Sequence, residues 1–186
     1  MKMSPDDVVR AQRVLRDAEL LYDEQACADA LRRLSREIEA RLRETYPLVL
    51  CVMGGSVVFA GQLLPRLTFP LDFDYLHATR YDGTTRGGAL CWKVLPRLSV
   101  RQRVVLVLDD ILDEGHTMAA IRERLLNDGA EAVQCAVFTD KDIGSRKPIV
   151  PDYVGLKVPN RYVFGYGMDV EGAWRNLPAI YALRDR

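Results

Sequence analysis

No apolar run in this chain is long enough to cross a bilayer. The longest, residues 48–53 and 104–108, fall far short of the roughly 20 residues that a spanning helix takes. The start, Met1-Lys2-Met3-Ser4-Pro5-Asp6-Asp7, leads into no apolar stretch or cleavage site, so no signal peptide is expected. There is no excess of charge of either sign: 26 Lys and Arg balance 26 Asp and Glu, for a formal net charge of +0. That argues against a protein held to nucleic acid by bulk charge. Cysteine is sparse, and Cys27, Cys51, Cys91 and Cys135 lie far apart among apolar neighbours. This predicts buried reduced thiols in a cytoplasmic protein rather than a zinc site or a disulfide framework. His77 and His116 have no partner at metal-ligand spacing. Neither a Gly-x-x-x-x-Gly-Lys-Ser/Thr loop nor a Gly-x-Gly-x-x-Gly turn is present, which excludes the common nucleoside-triphosphate and dinucleotide folds. Repeats, low-complexity tracts and linkers are absent too, so 186 residues, 48% of them hydrophobic, predict one globular domain.

What is present changes character near Pro47. Ser4-Pro5-Asp6-Asp7 reads as a helix start, with a hydroxyl N-cap, proline at the first helical position and acids in the first turn. Apolar residues then recur at helical spacing, first at Val8, Ala11, Leu15, Ala18 and Tyr22, then at Cys27, Leu31, Leu34, Ile38 and Leu42. Two helices are expected before Pro47. Beyond it, runs at 48–53, 71–80, 89–95, 104–108, 132–139, 153–158, 162–165 and 179–183 predict strands. Helical stretches at 57–64 and 118–126 fall between them, the second closed by Asn127-Asp128-Gly129. Strands interleaved with helices predict an α/β fold with a largely parallel sheet.

The chemistry is concentrated in one stretch. A buried strand ends in Asp109 and Asp110, Asp113 follows after Ile111 and Leu112, and Glu114-Gly115-His116-Thr117 then opens a helix. In open α/β sheets, ligands bind beyond the carboxyl ends of the strands. Backbone N–H groups of Glu114, Gly115, His116 and Thr117, with the Thr117 hydroxyl, would cradle a phosphate. Adjacent carboxylates suit a ribose diol, since each accepts a hydrogen bond from a hydroxyl. Asp113 is placed to handle a proton on whatever is joined to that ribose. A loop in which Asp110 and Asp113 merely cap the helix would need neither the third acid nor Gly and Thr at this spacing.

This run resembles the phosphoribosyl-diphosphate-binding motif of type I phosphoribosyltransferases: an apolar strand, two acids, two apolar residues, then Asp-x-Gly-x-Thr. Other blocks narrow the resemblance to the hypoxanthine-guanine phosphoribosyltransferase family. They are Cys51-Val52-Met53-Gly54-Gly55-Ser56, Arg80-Tyr81 with a glycine-containing loop, Lys141, and Tyr162-Val163-Phe164-Gly165-Tyr166-Gly167-Met168-Asp169 followed by Arg175. They occur in the family's order across 48–175. The resemblance implies the type I fold, a mostly parallel sheet flanked by helices (core roughly 47–150) with a small hood from the N- and C-terminal parts. It implies an enzyme that joins a purine base to 5-phosphoribosyl 1-diphosphate, giving a nucleoside 5′-monophosphate and diphosphate, with Mg²⁺ as cofactor. Asp109 and Asp110 would hold the ribose hydroxyls, and Glu114, Gly115, His116 and Thr117 the 5′-phosphate. Met53, Gly54 and Gly55 would contact diphosphate, often through a cis peptide at Met53–Gly54, aided by Arg80, Tyr81 and Arg175. Asp113 would be the catalytic group near purine N7. Lys141 would meet the purine 6-oxygen, Tyr162 would stack on the base, and the Val163 backbone would meet its edge. Asp169, beside the purine, would ligate Mg²⁺ directly or through water. A homo-oligomer, dimer or tetramer, is implied, with no nucleic-acid or membrane partner.

Alone, several of these residues would read more plainly. Tyr162 in a strand would be a core aromatic, Lys141 after a strand end a solvated lysine, and Gly54-Gly55 an ordinary turn. The chain also departs from the family. Gly54 stands where Lys is common, Ser56 where a second Gly is, and Glu114-Gly115-His116 where Thr-Gly-Lys is. Arg80 replaces a Ser and would restore some positive charge beside diphosphate. The polar stretch 81–88 offers almost nothing to bury and reads as a mobile lid or a plain hairpin loop. Two other functions stay open: a phosphoribosyltransferase-like regulator that binds nucleic acid, and a transferase for another base such as xanthine.

Overall fold

Leu48–Val52 (β2) is buried at every residue, as a central strand covered on both faces must be. The chain is seen here as a computed structural model that describes residues 5–80 and 90–184. The first part supplies α1 (Pro5–Asp17), β1 (Glu19–Tyr22) and α2 (Glu24–Leu42) before β2. Then come α3 (Val57–Leu63), β3 (Asp72–Arg80), β4 (Leu90–Val94), β5 (Val104–Leu112), α4 (His116–Asn127), β6 (Ala132–Asp142) and β7 (Tyr153–Pro159). Two short strands, β8 (Val163–Phe164) and β9 (Ile180–Ala182), finish it.

Six strands form the large sheet in the order β4-β3-β2-β5-β6-β7. All its pairings are parallel except β3 with β4. Side chains alternate across it, as a period of two requires. Val49, Cys51, Leu106, Leu108, Ala136 and Phe138 pack with α2 and α3 on one face. Leu48, Leu50, Val105, Val107, Val133 and Cys135 pack with α4 residues Met118, Ile121 and Leu125 on the other. The expected α/β fold is therefore the observed one. The sheet runs past residue 150 through β7.

A second, three-stranded sheet has the order β1-β9-β8 and joins the two ends of the chain. It corrects the reading of the first helical stripe. α1 stops at Asp17, and Tyr22 lies in β1, paired with Ile180. The Tyr22 hydroxyl donates to the Lys157 carbonyl at 2.6 Å. These partners lie over a hundred residues away, so local spacing carries no sign of them. α2 then starts at its own N-cap, where the Asp23 carboxylate accepts from the Ala26 N–H at 2.8 Å. Ser4 lies outside the described residues. Three thiols are buried as expected, but Cys91 is exposed, because its strand β4 is the edge of the large sheet. No helix among the described residues is long and apolar enough to cross a membrane.

Candidate active site

β2 and β5 are neighbours at the centre of the sheet, yet the chain leaves β2 towards β3 and β5 towards β6. At such a switch point the following loops diverge and open a crevice. β5 deepens it. Its pairing with β2 ends at Leu108, while its pairing with β6 continues to Leu112. Asp109 and Asp110 thus stand within the strand, not after it as the apolar run suggested, on an edge that β2 has left free. A cavity of about 480 Å³ opens there, lined by Met53, Gly55, Asp109, Asp110, Asp113, Glu114, Gly115, His116, Thr117 and Arg175.

Two glycines set the position of Asp110. A Cβ on Gly55 would lie 2.5 Å from the Asp110 Cγ, and one on Gly167 would meet the Gly55 carbonyl carbon at 3.1 Å. Gly167 also has φ +106, which disfavours any side chain. The Met53–Gly54 peptide before this contact is cis. Asp110 Oδ1 accepts from the Ile111 N–H at 2.9 Å, and Asp109 Oδ1 from the Asp110 N–H at 3.0 Å. Burial and the neighbouring Asp110 push the Asp109 carboxyl well above its ordinary range. Burial also raises Asp110, against the opposing pull of its hydrogen bonds and of Arg175. Such a pair, half-enclosed and mutually repelling, favours a ligand that brings hydroxyl donors.

The turn after β5 reaches α4 through Gly115, whose φ is +83 and whose Cβ would press on Ile149, Lys147 and Pro148 at 3.3–3.5 Å. The first amides of α4, from His116 onward, lack intrahelical acceptors and face the cavity end of the helix. That is an anion-binding arrangement.

A second cavity, about 210 Å³, is lined by Asp110, Ile111, Asp113, Lys141, Tyr162, Val163, Met168 and Asp169. Asp110, Ile111 and Asp113 line both cavities. Lys141 is not the solvated lysine after a strand end that its neighbours suggest. It lies within β6, its side chain is only 12% exposed, and its Nζ donates to Asp113 Oδ2 at 2.6 Å. Lys147 neutralises Asp140 at 2.6 Å and donates to the Leu112 carbonyl at 2.7 Å. Tyr162 precedes β8 instead of lying in it, is half exposed, and donates its hydroxyl to the Asp169 carbonyl at 3.2 Å. The Asp169 carboxylate accepts from the Gly172 N–H at 2.8 Å and pairs with Arg175 at 2.5 Å. Arg175 in turn donates to the Gly167 carbonyl at 2.8 Å.

This geometry has known counterparts. A family profile described as phosphoribosyl transferase domain matches residues 17–171. The chain belongs to the phosphoribosyltransferase family. It is 35% identical to the hypoxanthine-guanine-xanthine phosphoribosyltransferase of Tritrichomonas foetus over 89% of this chain and 91% of that protein. It is 29% identical to the hypoxanthine-guanine phosphoribosyltransferase of Bacillus subtilis over 89% and 92%. Among solved structures, a hypoxanthine phosphoribosyltransferase from Staphylococcus aureus superposes with a TM-score of 0.85 at 26% identity, covering 97% of each chain. A hypoxanthine-guanine-xanthine phosphoribosyltransferase superposes with a TM-score of 0.83 at 31% identity, covering 91% of this chain and 99% of that one.

Within this phosphoribosyltransferase the two cavities gather most of the expected site residues. Arg80 ends β3, while Tyr81 and the 81–88 lid segment lie outside the described residues. Sequence reasoning did not single out Thr139 or Gly167. Thr139 donates from Oγ1 to the Asp110 carbonyl at 2.9 Å and so fixes the strand that carries the acids. Gly167 was legible only as one of two glycines in Gly165-Tyr166-Gly167. Among the described residues, no three His, Cys, Asp or Glu side chains form a metal cage. Mg²⁺ usually takes one or two protein carboxylates and fills its shell with phosphate oxygens and water. Asp169 keeps lone pairs beyond its two present donors and fits that role.

Proposed function

We propose that this phosphoribosyltransferase acts in purine salvage, transferring the 5-phosphoribosyl group of 5-phosphoribosyl 1-diphosphate to hypoxanthine or guanine. The observation that carries the reading is the Lys141–Asp113 pair in the second cavity, an ammonium and a carboxylate 2.6 Å apart beside an exposed tyrosine ring. A 6-oxopurine carries a carbonyl acceptor at C6 beside the N7 edge. The ammonium donates to the first, the carboxylate takes a proton from the second, and both are already side by side. Adenine offers an amino group at C6, a donor facing a donor.

In this reading Asp109 and Asp110 accept from the ribose 2′- and 3′-hydroxyls, and the amides at the start of α4 with Thr117 hold the 5′-phosphate. Met53, Gly54 and Gly55 follow the diphosphate with their backbone, and Arg80, Tyr81 and Arg175 add to its hold. The bond from C1′ to the diphosphate oxygen breaks, N9 of the base bonds to C1′, and the proton on N7 passes to the Asp113 carboxylate. Tyr162 stacks on the base and the Val163 backbone meets its edge, which with the ribose contacts brings N9 to C1′; such positioning supplies much of the acceleration. Asp169 would hold Mg²⁺ directly or through water, and the ion would supply positive charge that offsets the charge of the leaving diphosphate. Phe73 and Tyr75, exposed and two apart on β3, give one apolar face for a homo-oligomer, dimer or tetramer. The free thiols fit a cytoplasmic setting.

The test is a product assay. Purified protein with the diphosphate donor and Mg²⁺ should form nucleoside 5′-monophosphate and diphosphate from hypoxanthine and guanine, and chelator should abolish it. Turnover of uracil or adenine alone would overturn the reading.

A further inference from the structure

The stretch matched by the family profile, 17–171, takes in neither α1, apart from its last residue, nor Trp174 and Arg175. No residue of α1 belongs to either hydrophobic core cluster, and Val8 and Val9 are exposed. Two contacts of α1 converge on one turn. Arg10 pairs with Glu171 at 2.6 Å, and the Trp174 indole N–H donates to the Ala11 carbonyl at 2.8 Å.

That turn is conformationally unusual. Val170 and Ala173 exchange two backbone hydrogen bonds of 3.0 Å around Glu171-Gly172, whose φ values are +53 and +83. Trp174 follows with φ +70. Left-handed backbone is unfavourable for a residue with a side chain. The two non-glycine residues held in it here, Glu171 and Trp174, are the two that α1 grips. The same turn gives the Gly172 N–H to Asp169, and the residue after Trp174 is Arg175, which reaches Asp169 and the Gly167 carbonyl and lines the larger cavity.

We propose that α1 is a brace on the 169–175 turn, and that Trp174 is the positioning residue through which it holds Arg175 and Asp169 for the diphosphate. The proposal rests on the reading of Arg175 and Asp169 as diphosphate-facing groups. Charge contact between Arg10 and Glu171 is exposed and contributes little. The indole hydrogen bond to a carbonyl in mid-helix fixes the backbone next to Arg175.

Full-length variants test it. Trp174→Phe keeps a ring and removes the N–H; Ala11→Pro breaks α1 at the contact. The Kd and KM for 5-phosphoribosyl 1-diphosphate with Mg²⁺ should rise about 2- to 10-fold in Trp174→Phe, the range of one hydrogen bond. They should rise at least as much in Ala11→Pro. The hypoxanthine KM should stay within twofold, and the double variant should be no worse than Ala11→Pro alone, because both remove one interaction. Amide exchange at 169–175 should quicken in each. Unchanged donor affinity in either single variant, or equal loss for donor and base, overturns the brace. Arg175→Ala separates the two claims. Should it leave donor affinity intact, the diphosphate reading itself fails; should it weaken the donor while Trp174→Phe does not, only the brace fails.

Discussion

Gly55→Ala puts a methyl group against the carboxylate that is proposed to hold the ribose. The new Cβ would overlap Asp110 Oδ2 and lie 2.5 Å from the Asp110 Cγ, whereas ordinary contact begins at 3.4 Å, so the carboxylate must give way by about 1 Å or more. Asp110 cannot yield without loss. Its Oδ1 accepts from the Ile111 N–H, its carbonyl accepts from Thr139, and Gly167 closes in from the hood side. Displacement of about 1 Å in a positioning group costs on the order of 10²-fold in rate. Overpacking of this kind also destabilises by about 1–3 kcal/mol, or a Tm loss of about 2–12 °C for a chain of this size. The assay is kcat/KM for 5-phosphoribosyl 1-diphosphate at saturating hypoxanthine, beside a thermal melt. Gly61→Ala in α3 is the control, since nothing lies within 4 Å of its Cβ and alanine favours a helix. It should keep full activity with unchanged or higher Tm. A Gly55→Ala enzyme within threefold of wild type would refute the claim that this contact sets the carboxylate.

Asp109→Asn should stabilise the free protein at neutral pH and weaken donor binding. The raised Asp109 carboxyl means that the folded state holds its proton more tightly than the unfolded chain does. Stability is therefore gained as pH falls towards the ordinary carboxylate value, and the advantage of the variant should vanish there. Each kcal/mol recovered would appear as about 2–4 °C in Tm; a variant no more stable at pH 7 contradicts the repulsion argument. Asp74 has the opposite sign. Burial would raise it, but the Leu98, Tyr75 and Arg97 amides and the Arg97 guanidinium outweigh that and lower it. Asp74→Asn should destabilise at neutral pH, with a deficit that shrinks as pH falls below the ordinary carboxylate range. Asp113→Asn should slow turnover by about 10²–10⁴-fold with donor affinity little changed, read by single-turnover kinetics and calorimetry. Near wild-type turnover would remove Asp113 from the chemistry.

Much of this is legible in the sequence alone. The apolar runs at 48–53 and 104–108 are the central strands, and the three acids with Gly115 and Thr117 mark the cavity between them, because side-chain spacing reports local geometry. What was hidden depends on partners distant in the chain. Tyr22 continues a helical stripe, yet β1 is set by β9. Asp109 and Asp110 fall inside β5 because β5 pairs with β6 beyond the end of β2, and Lys141 falls inside β6 because β6 pairs with β7 as far as Asp142. Cys91 sits among apolar neighbours in sequence, but its strand is at a sheet edge. The hold of α1 on Trp174 could not be read at all, since it joins positions 163 apart.

The most direct measurement is the ratio of kcat/KM for hypoxanthine to that for adenine, in wild type and in Lys141→Ala. A hydrogen bond to a charged group is worth about 1.5–3 kcal/mol, and an ammonium buried against a donor costs at least as much again. Sites built on such a bond can reject the mismatched ligand by about 10⁴-fold. Wild type should therefore turn adenine over very poorly. Lys141→Ala should lose hypoxanthine activity chiefly through weaker base binding and narrow the ratio by a factor of 10 or more. Stacking on Tyr162 affects both bases alike and does not enter the ratio. An identical ratio in the two proteins would contradict the account, leaving Lys141 a structural partner of Asp113 and no reader of the base.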